Sequence, residues 1–440
     1  MSSSASPDGD GARDPLGGPL KPVIASHPAS TRSQDGADLC AQDSHTKLVF
    51  GRDFSLRQAP SQSGEQRLRY SSSMLRRSFL QTVPGAVAAT AAIAAPPPAP
   101  GEVPIKLGFD TYSLRAFRWK APELLSYAAS LKLDTIQISS LSDYESLDPA
   151  YLQKVKDQAD RLRLQIDGGT GCICPSSHAF SKNGPPARDR VLEGLRVAAA
   201  VGAKSMRCYL GSTADRIGEP GIEAHMENTI KLFRSVRSET LDLGMKIAIE
   251  NHDGDMQARE VKTVIEESGK DFVGSNLDTG NPLWVVEDPL LTLQVLAPYV
   301  ITTHVRDSVL FEHPRGAAGQ WVVLGDGQID FVRFVEQFRK WCPQASMQME
   351  VITGRPPRVI PYLEQDFWKA FPKALASEFA RFVALAKAGH PYMGAMVIED
   401  VAGQRPAIMS EALKEQQRLD LERSLEYAKT KLNVGVNWRG

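Results

Sequence analysis

Four acidic or imidazole side chains stand where apolar segments of the sequence end. A strand buried in a parallel sheet is typically such an apolar segment, and an α/β barrel keeps its chemistry at the carboxyl ends of its strands. We therefore expect the four side chains to meet and to offer oxygen and nitrogen donors to a metal ion. They are Glu250, Asp278, His304 and Glu350.

The apolar segments alternate with segments of helical spacing, which predicts a parallel sheet. Eight such units close most simply as a (β/α)8 TIM barrel, an α/β fold whose mouth gathers all eight strand ends. An open doubly wound sheet is the alternative, but no Gly-x-Gly-x-x-Gly motif follows the first strand. Strands are predicted at residues 105–110, 134–138, 164–167, 205–210, 246–250, 273–278, 300–304 and 346–350. A helix is predicted to begin at Pro149 after Asp148, a longer one over residues 222–243, and a loop after His304.

Composition is that of an ordinary globular protein. The chain has 440 residues, of which 42% are hydrophobic and 23% charged, so one large domain with appendages is expected. The formal net charge is −1. Since no overall basic field would hold a polyanion, nucleic acid is not an expected partner.

The first hundred residues differ from the rest in composition. Residues 1–73 are rich in Ser, Gly, Asp, Gln and Pro without a regular period, which predicts a disordered extension. Residues 74–100 place Arg76 and Arg77 before Phe79, then an Ala-rich apolar run and a Pro-rich linker. This layout predicts a twin-arginine export signal, and with it the export machinery as a partner and a periplasmic or extracellular location. Met74 is then a candidate for the true start.

The barrel domain is predicted over residues 101–440, with an insertion after the eighth strand. The insertion lies between Glu350 and a helix predicted at residues 410–432, and it contains a helical segment at residues 373–388. An insertion after a strand end lies over the barrel mouth. We expect it either to cap a substrate or to form an oligomer contact.

These motifs together resemble the xylose isomerase-like TIM barrels, a superfamily that includes sugar phosphate isomerases and epimerases, ketose 3-epimerases and an endonuclease branch. The resemblance covers residues 105–352 and the last helix. The motifs that carry it are Ile249-Glu250-Asn251-His252, Leu277-Asp278-Thr279-Gly280-Asn281, Thr303-His304-Val305-Arg306-Asp307, Gly325-Asp326-Gly327 and Met349-Glu350.

The resemblance implies one divalent cation, manganese, magnesium or cobalt with zinc as an alternative, held by the four strand-end residues. It also implies that Glu250 and Glu350 act as acid and base on opposite faces of a carbohydrate substrate, beside a carbonyl. Arg306 would bind a substrate oxygen, and His252 would contact a hydroxyl or orient Glu250. Asn281 stands where ketose 3-epimerases usually carry a substrate-binding histidine, so the exact substrate and reaction stay open.

The expected function is a metal-dependent sugar isomerase or epimerase. One alternative is a lyase or hydrolase that cleaves 3-keto-glycosides with the same site. Another is an exported barrel that binds sugar without turnover. The endonuclease branch is disfavoured, because its three-metal cluster needs more ligands than His252 and His304 add, and because the charge is near neutral.

Overall fold

The computed structural model describes residues 103–395, 398–401, 403 and 406–440. The predicted extension (1–73) and export signal (74–100) lie outside these residues. Strands and helices alternate along the described chain. The strands are β1 (Leu107–Asp110), β2 (Thr135–Ile138), β3 (Gln165–Cys172), β4 (Ser205–Tyr209), β5 (Lys246–Glu250), β6 (Val273–Asp278), β7 (Val300–His304), β8 (Asp307–His313), β9 (Gly316–Val322), β10 (Met347–Met349) and β11 (Arg358–Ile360).

Helices separate or follow these strands. They are α1 (Ala121–Ser130), α2 (Pro149–Leu162), α3 (Ala187–Ala200), α4 (Thr213–Ile217), α5 (Ile222–Ser235), α6 (Arg237–Asp242), α7 (Ala258–Ser268), α8 (Pro289–Leu296), α9 (Phe331–Trp341), α10 (Ala376–Ala388) and α11 (Ala407–Thr430). Two groups of these helices follow one another without an intervening strand, namely α4, α5 and α6, and α10 and α11. None of the described helices is long and apolar enough to cross a membrane.

Eight parallel strands form the barrel that the sequence predicts. Their order is β10-β1-β2-β3-β4-β5-β6-β7, so the last barrel strand pairs with the first. Between β7 and β10 the barrel closes through Val305, which bridges Met349 and accepts a hydrogen bond from the Glu350 amide at 3.0 Å. The (β/α)8 prediction is therefore confirmed, and all eight strand ends face one mouth.

Local sequence explains why the surrounding helices form and face inward. Helix α2 begins at Pro149 after Asp148, as predicted, because proline is pre-organised for the first helical position. Helix α9 buries Phe331, Phe334 and Phe338, which recur every three or four residues and so share one face.

A second, antiparallel sheet stands beside the barrel mouth. It has the order β11-β9-β8. Strands β8 and β9 form a hairpin that follows β7 in the chain. The predicted insertion supplies β11 and α10, and α10 packs on β8. A separate apolar cluster, which includes Trp284, Leu310, Ile360 and Phe382, holds this part together. Hairpin and insertion therefore form one small layer next to the site.

Two elements depart from the sequence prediction. The single helix expected over residues 222–243 is divided into α5 and α6, because Val236 has ψ of 10° and interrupts the helix. The segment after His304 was expected to be a loop and is the β8–β9 hairpin. Other boundaries move by a few residues; the last helix begins at Ala407 rather than residue 410.

Candidate metal centre

The four predicted ligands meet at the barrel mouth. Glu250, Asp278 and His304 are the last residues of β5, β6 and β7, and Glu350 directly follows β10. One donor atom from each residue lies within 4.8 Å of the other three. The first three are fully buried and Glu350 is 5% exposed. The site could therefore hold a metal ion.

The arrangement fits one ion with all four ligands. Nδ1 of His304 lies 3.2 Å from Glu250 Oε1, 3.3 Å from Glu350 Oε2 and 4.0 Å from Asp278 Oδ2. Ligands on opposite sides of a magnesium-sized ion are about 4.2 Å apart, so separations of up to 4.8 Å need only small shifts. Oxygen ligands with one imidazole suit a hard or borderline cation.

Two buried arginines balance the carboxylates. Arg207, from β4, donates from Nε to Glu250 Oε2 at 2.5 Å. Arg306, two residues after β7, contacts the carboxylates of both Asp278 and Glu350. The Arg306 guanidinium also lies over the Trp321 ring, 4.4 Å from its centroid.

The sequence analysis missed Arg207. The signal for it was present, because an arginine inside the apolar strand Ser205–Tyr209 must find a buried anion. Arg306 was predicted to bind a substrate oxygen. The structure places it among the ligands, with Nε and one terminal nitrogen buried and without a hydrogen-bond partner.

The charged groups in the site shift one another's pKa values. Burial alone would raise the pKa of both glutamates, but Arg207 and His304 hold the pKa of Glu250 well below its usual value. Arg306 and His304 likewise lower the pKa of Glu350 to about 2. Burial raises the pKa of Asp278 to about 7. Both glutamates are therefore ionised at neutral pH.

The far side of His304 is held by residues that the sequence analysis also missed. Its Nε2 contacts Gln137 Oε1 and lies 3.3 Å from Asp110 Oδ2. Although burial lowers the pKa of His304, the carboxylates of Glu350, Glu250 and Asp110 raise it well above its usual value. Polar residues inside the short strands β1 and β2 were the available signal, since they face the barrel interior.

The other two predicted substrate residues lie at the edge of the ligand group. Asn281 donates to the Asn251 carbonyl at 2.9 Å and to Glu250 Oε1 at 3.3 Å. His252 stacks on Tyr209 with 3.8 Å between ring centroids, and its Nδ1 lies 2.7 Å from the Gly211 carbonyl oxygen.

The two acidic residues after β5 differ in position. Asp253 lines the mouth and forms an ion pair with Arg358, with 2.5 Å between Oδ1 and the arginine nitrogen. Asp255 accepts hydrogen bonds from the backbone amides of Gly211, His252 and Met256, so it holds the turn. Only Asp253 faces the cavity.

A cavity of about 910 Å³ opens above the ligand group. Arg207, His252, Asn281, Arg306 and Glu350 all line it, so the predicted substrate-binding residues share one space. Its volume lies near the upper end of the ~300–1,000 Å³ range of small-molecule sites. Three tryptophans complete the apolar part of the wall, and these are Trp119, Trp284 and Trp321.

The chain is similar to curated proteins over about half its length. It is 23% identical over 227 residues to the uncharacterized protein YihM of Escherichia coli, covering 50% of this chain and 62% of that protein. It is 24% identical over 238 residues to a 3-oxo-isoapionate decarboxylase of Pectobacterium atrosepticum, covering 51% of this chain and 78% of that enzyme.

Solved structures that are similar to this chain include sugar epimerases. A D-psicose 3-epimerase determined in the presence of D-fructose has 15% identity and a TM-score of 0.47, covering 74% of this chain and 99% of that one. The 3-keto-D-glucoside 4-epimerase YcjR of E. coli has 15% identity and a TM-score of 0.44, covering 61% and 98%.

A protein-family model also matches the chain. The family is described as xylose isomerase-like TIM barrel, and the match covers residues 125–343. It begins within α1 and ends two residues after α9. That span contains six of the barrel strands and three of the four candidate ligands. Over these residues, which are just under half of the chain, the sequence matches the xylose isomerase-like TIM barrel family, and the eight-stranded barrel is consistent with that match.

Proposed function

We propose that the protein is a metal-dependent enzyme that isomerises or epimerises a carbohydrate by moving a proton on the carbon next to a carbonyl. The observation that carries this proposal is the convergence of Glu250, Asp278, His304 and Glu350, with donors within 4.8 Å, beside a large cavity that Glu350 lines. Two ionised glutamates in one such site supply a base and its partner.

The proposed cofactor is one divalent cation, manganese, magnesium or cobalt, with zinc as the alternative. When bound, it would polarise the carbonyl and stabilise negative charge that develops on the carbonyl oxygen. The residues of this chain would do the rest. The unpartnered nitrogens of Arg306 would donate hydrogen bonds to a substrate oxygen.

Glu350 is the best placed base because it lines the cavity and is ionised. A carboxylate with a pKa of about 2 is a weak base, so it must act on a proton that the site itself has made acidic. Glu250, whose Oε1 lies 3.2 Å from His304 Nδ1, would return a proton to the opposite face. His252 and Asn281 would hold substrate hydroxyls at the cavity wall.

Decarboxylation is a second candidate. A relative that shares 24% identity over 238 residues is named as a decarboxylase of a 3-oxo acid. Arg306 keeps buried donors free beside the ligand group, and such donors could hold a reacting carboxylate. Loss of CO2 from a 3-oxo acid needs no base to remove a carbon-bound proton, which separates this reaction from isomerisation.

Deuterium uptake tests both candidates. Metal-loaded protein would be incubated in heavy water with free ketoses, aldoses, oxidised glycosides and 3-oxo sugar acids. We expect exchange at a carbon next to a carbonyl, with an isomerised or epimerised product. Release of an aglycone would instead indicate the lyase, and release of CO2 the decarboxylase. Sugar binding with no exchange and no product would refute an enzymatic function for this panel.

The glutamate variants assign the two roles. If each glutamate serves one face, Glu250→Gln and Glu350→Gln should each abolish net inversion but leave different patterns of exchange. Both variants must first be shown to bind metal. Wild-type exchange in both metal-bound variants would contradict the acid-base pair and make Asp253 and His252 the next candidates.

We further propose export through the twin-arginine machinery to the periplasm or the cell exterior, on the basis of residues 74–100. No nucleic acid partner is proposed, and the small sheet beside the mouth is the candidate for an oligomer contact. Replacing Arg76 and Arg77 by Lys should leave folded protein in the cytoplasm. Continued export of that variant, measured by cell fractionation, would contradict the signal.

A further inference from the structure

The cavity wall has an excess of positive charge that the metal ligands do not explain. Seven basic and three acidic side chains line the cavity, whereas the whole chain has a net charge of −1. An excess of one sign inside a cleft attracts ligands of the opposite sign, because low-dielectric walls focus the field.

Four of the seven basic side chains already have carboxylate partners. These four are Arg115 with Asp400, Arg207 with Glu250, Arg306 with Asp278 and Glu350, and Arg358 with Asp253. Lys120 donates to the Ser142 carbonyl at 2.6 Å. Arg118 and Arg355 form no ion pair with any residue in the described part of the chain.

Arg355 is held in place by its backbone. Gly354 has φ of +77°, and a Cβ there would lie 2.3 Å from the Ile398 carbonyl oxygen, so the turn requires glycine. The Gly354 carbonyl accepts a hydrogen bond from the Asp400 amide at 2.8 Å, and the Arg355 carbonyl accepts one from Gln320 at 2.9 Å. The backbone that carries the Arg355 side chain is thus fixed before any ligand arrives.

Arg355 also has an unmet hydrogen-bonding requirement. Its Nε is buried and has no hydrogen-bond partner, although the side chain as a whole is only half-buried. Arg306 is 3% exposed, lines the same cavity, and has two further unpartnered nitrogens. A buried donor without a partner is unfavourable, and an anionic ligand that accepts a hydrogen bond from it would relieve that cost.

We propose that Arg355, supported by Arg118, binds a carboxylate of the substrate at the wall of the cavity, so that the substrate is a sugar acid. The planar guanidinium matches a carboxylate through paired hydrogen bonds. The tryptophans that line the same cavity add apolar surface for the sugar ring. That the bound acid is a substrate rests on the proposed function. Binding of an anion at this subsite can be measured without turnover.

Binding of defined probes tests the subsite. D-glucuronate, D-galacturonate and D-gluconate would each be titrated calorimetrically into metal-loaded protein, beside D-glucose, D-galactose and D-glucose 6-phosphate. We expect at least one acid to bind about tenfold or more tightly than its neutral parent, as a charged hydrogen bond allows. Equal binding of every acid and its parent, or tighter binding of the phosphate ester, would overturn the assignment of a carboxylate.

Variants locate the effect. Arg355→Met should remove the preference for the acid, Arg355→Lys should retain part of it, and Arg118→Met should weaken it to a smaller extent. Arg188→Met is the control, because Arg188 pairs with Glu239 and does not line the cavity. Metal content and melting temperature should match the wild type in all four. An unchanged preference in Arg355→Met would refute the role of Arg355.

The same panel separates this proposal from the proposed reaction. Preferential binding of an acid without deuterium exchange would keep the subsite and refute the isomerase or epimerase. Exchange into a sugar acid that is equal in the wild type and in Arg355→Met would keep the reaction and refute the subsite.

Discussion

At the scale of single residues, the buried ion pair of Arg207 and Glu250 is the interaction of the site that matters most for stability. Glu250 is fully buried and Arg207 is 6% exposed, so neither charge is solvated. Removing one partner of a buried pair leaves the other charge uncompensated, at a cost of about 3–5 kcal/mol. The pair therefore supports the fold as well as any chemistry at Glu250.

Arg207→Met should lower the free energy of unfolding by about 3 kcal/mol or more in metal-free protein. Arg188→Met, which removes an exposed pair with Glu239, should cost less than about 1 kcal/mol. Urea unfolding in the presence of a chelator would measure both values. Similar costs for the two variants would show that the buried pair adds nothing beyond a surface pair.

Asp278→Ala should weaken binding of Mn²⁺ about 100-fold or more, because even residues that only support a ligand change affinity 10- to 100-fold. The stabilisation that the wild type gains from added metal should fall accordingly. Asp253→Asn is the matched control, since Asp253 lies at the mouth and pairs with Arg358. Calorimetric titration with manganese chloride measures the Mn²⁺ affinity of both variants. If Asp278→Ala binds Mn²⁺ as tightly as the wild type, Asp278 is not a ligand.

At the scale of elements, Glu287 joins two helices behind the site. It is 2% exposed, accepts hydrogen bonds from the Ala258 amide at the start of α7, and accepts another from Thr292 in α8 at 3.2 Å. Burial is the main cause that raises the pKa of Glu287 to about 8. In the unfolded chain the pKa is about 4.3.

This raised pKa predicts how stability depends on pH. The folded state keeps the Glu287 proton between about pH 4.3 and 8 while the unfolded chain loses it, so this contribution is complete at low pH and falls by up to about 1.4 kcal/mol per pH unit across that window. Glu287→Gln should lose less stability between pH 5 and pH 8 than the wild type. Urea unfolding at four pH values measures the free energy of unfolding of both proteins. If the two values fall in parallel as the pH rises, the raised pKa does not belong to Glu287.

The elements that the sequence predicted well are the ones that local chemistry determines. The strands β5, β6 and β7 are short apolar runs with a ligand as their last residue, so their ends could be placed to the residue. The β8–β9 hairpin was missed. Its second strand begins Gly316-Ala317-Ala318-Gly319, residues that are depleted in strands, and it is supported by β11, about forty residues later.

Arg207 shows the same limit at the site. The sequence predicted the four candidate metal ligands but not the guanidinium that neutralises Glu250, because that pairing crosses from β4 to β5 and no motif records it. The position of Arg355 next to the cavity depends on the path of the insertion, which periodicity alone does not specify.

At the scale of the whole molecule, the two ends of the described chain are joined at the barrel end opposite the site. The Gly435 amide donates to the Ile105 carbonyl at 2.9 Å. Asp134, which precedes β2 and is 7% exposed, accepts hydrogen bonds from the amides of Leu107, Val436 and Asn437 at 2.7–2.9 Å. One carboxylate thus connects β1, β2 and the C-terminal tail.

Asp134→Asn should destabilise the fold without changing the metal site. An amide group can accept at only one of the two oxygen positions, so at least one of the three amides, of which that of Leu107 is buried, loses its partner, and a buried donor left unpaired costs about 1–3 kcal/mol. Asp157→Asn is the control because Asp157 is exposed on α2, and its cost should stay within about 0.5 kcal/mol. Hydrogen exchange at residues 435–437 should quicken in Asp134→Asn alone, while manganese affinity stays at the wild-type value. A loss of manganese affinity that accompanies the lost stability would show instead that the two ends of the barrel are coupled, since residues at this end of such barrels are expected to serve stability and those at the other end chemistry.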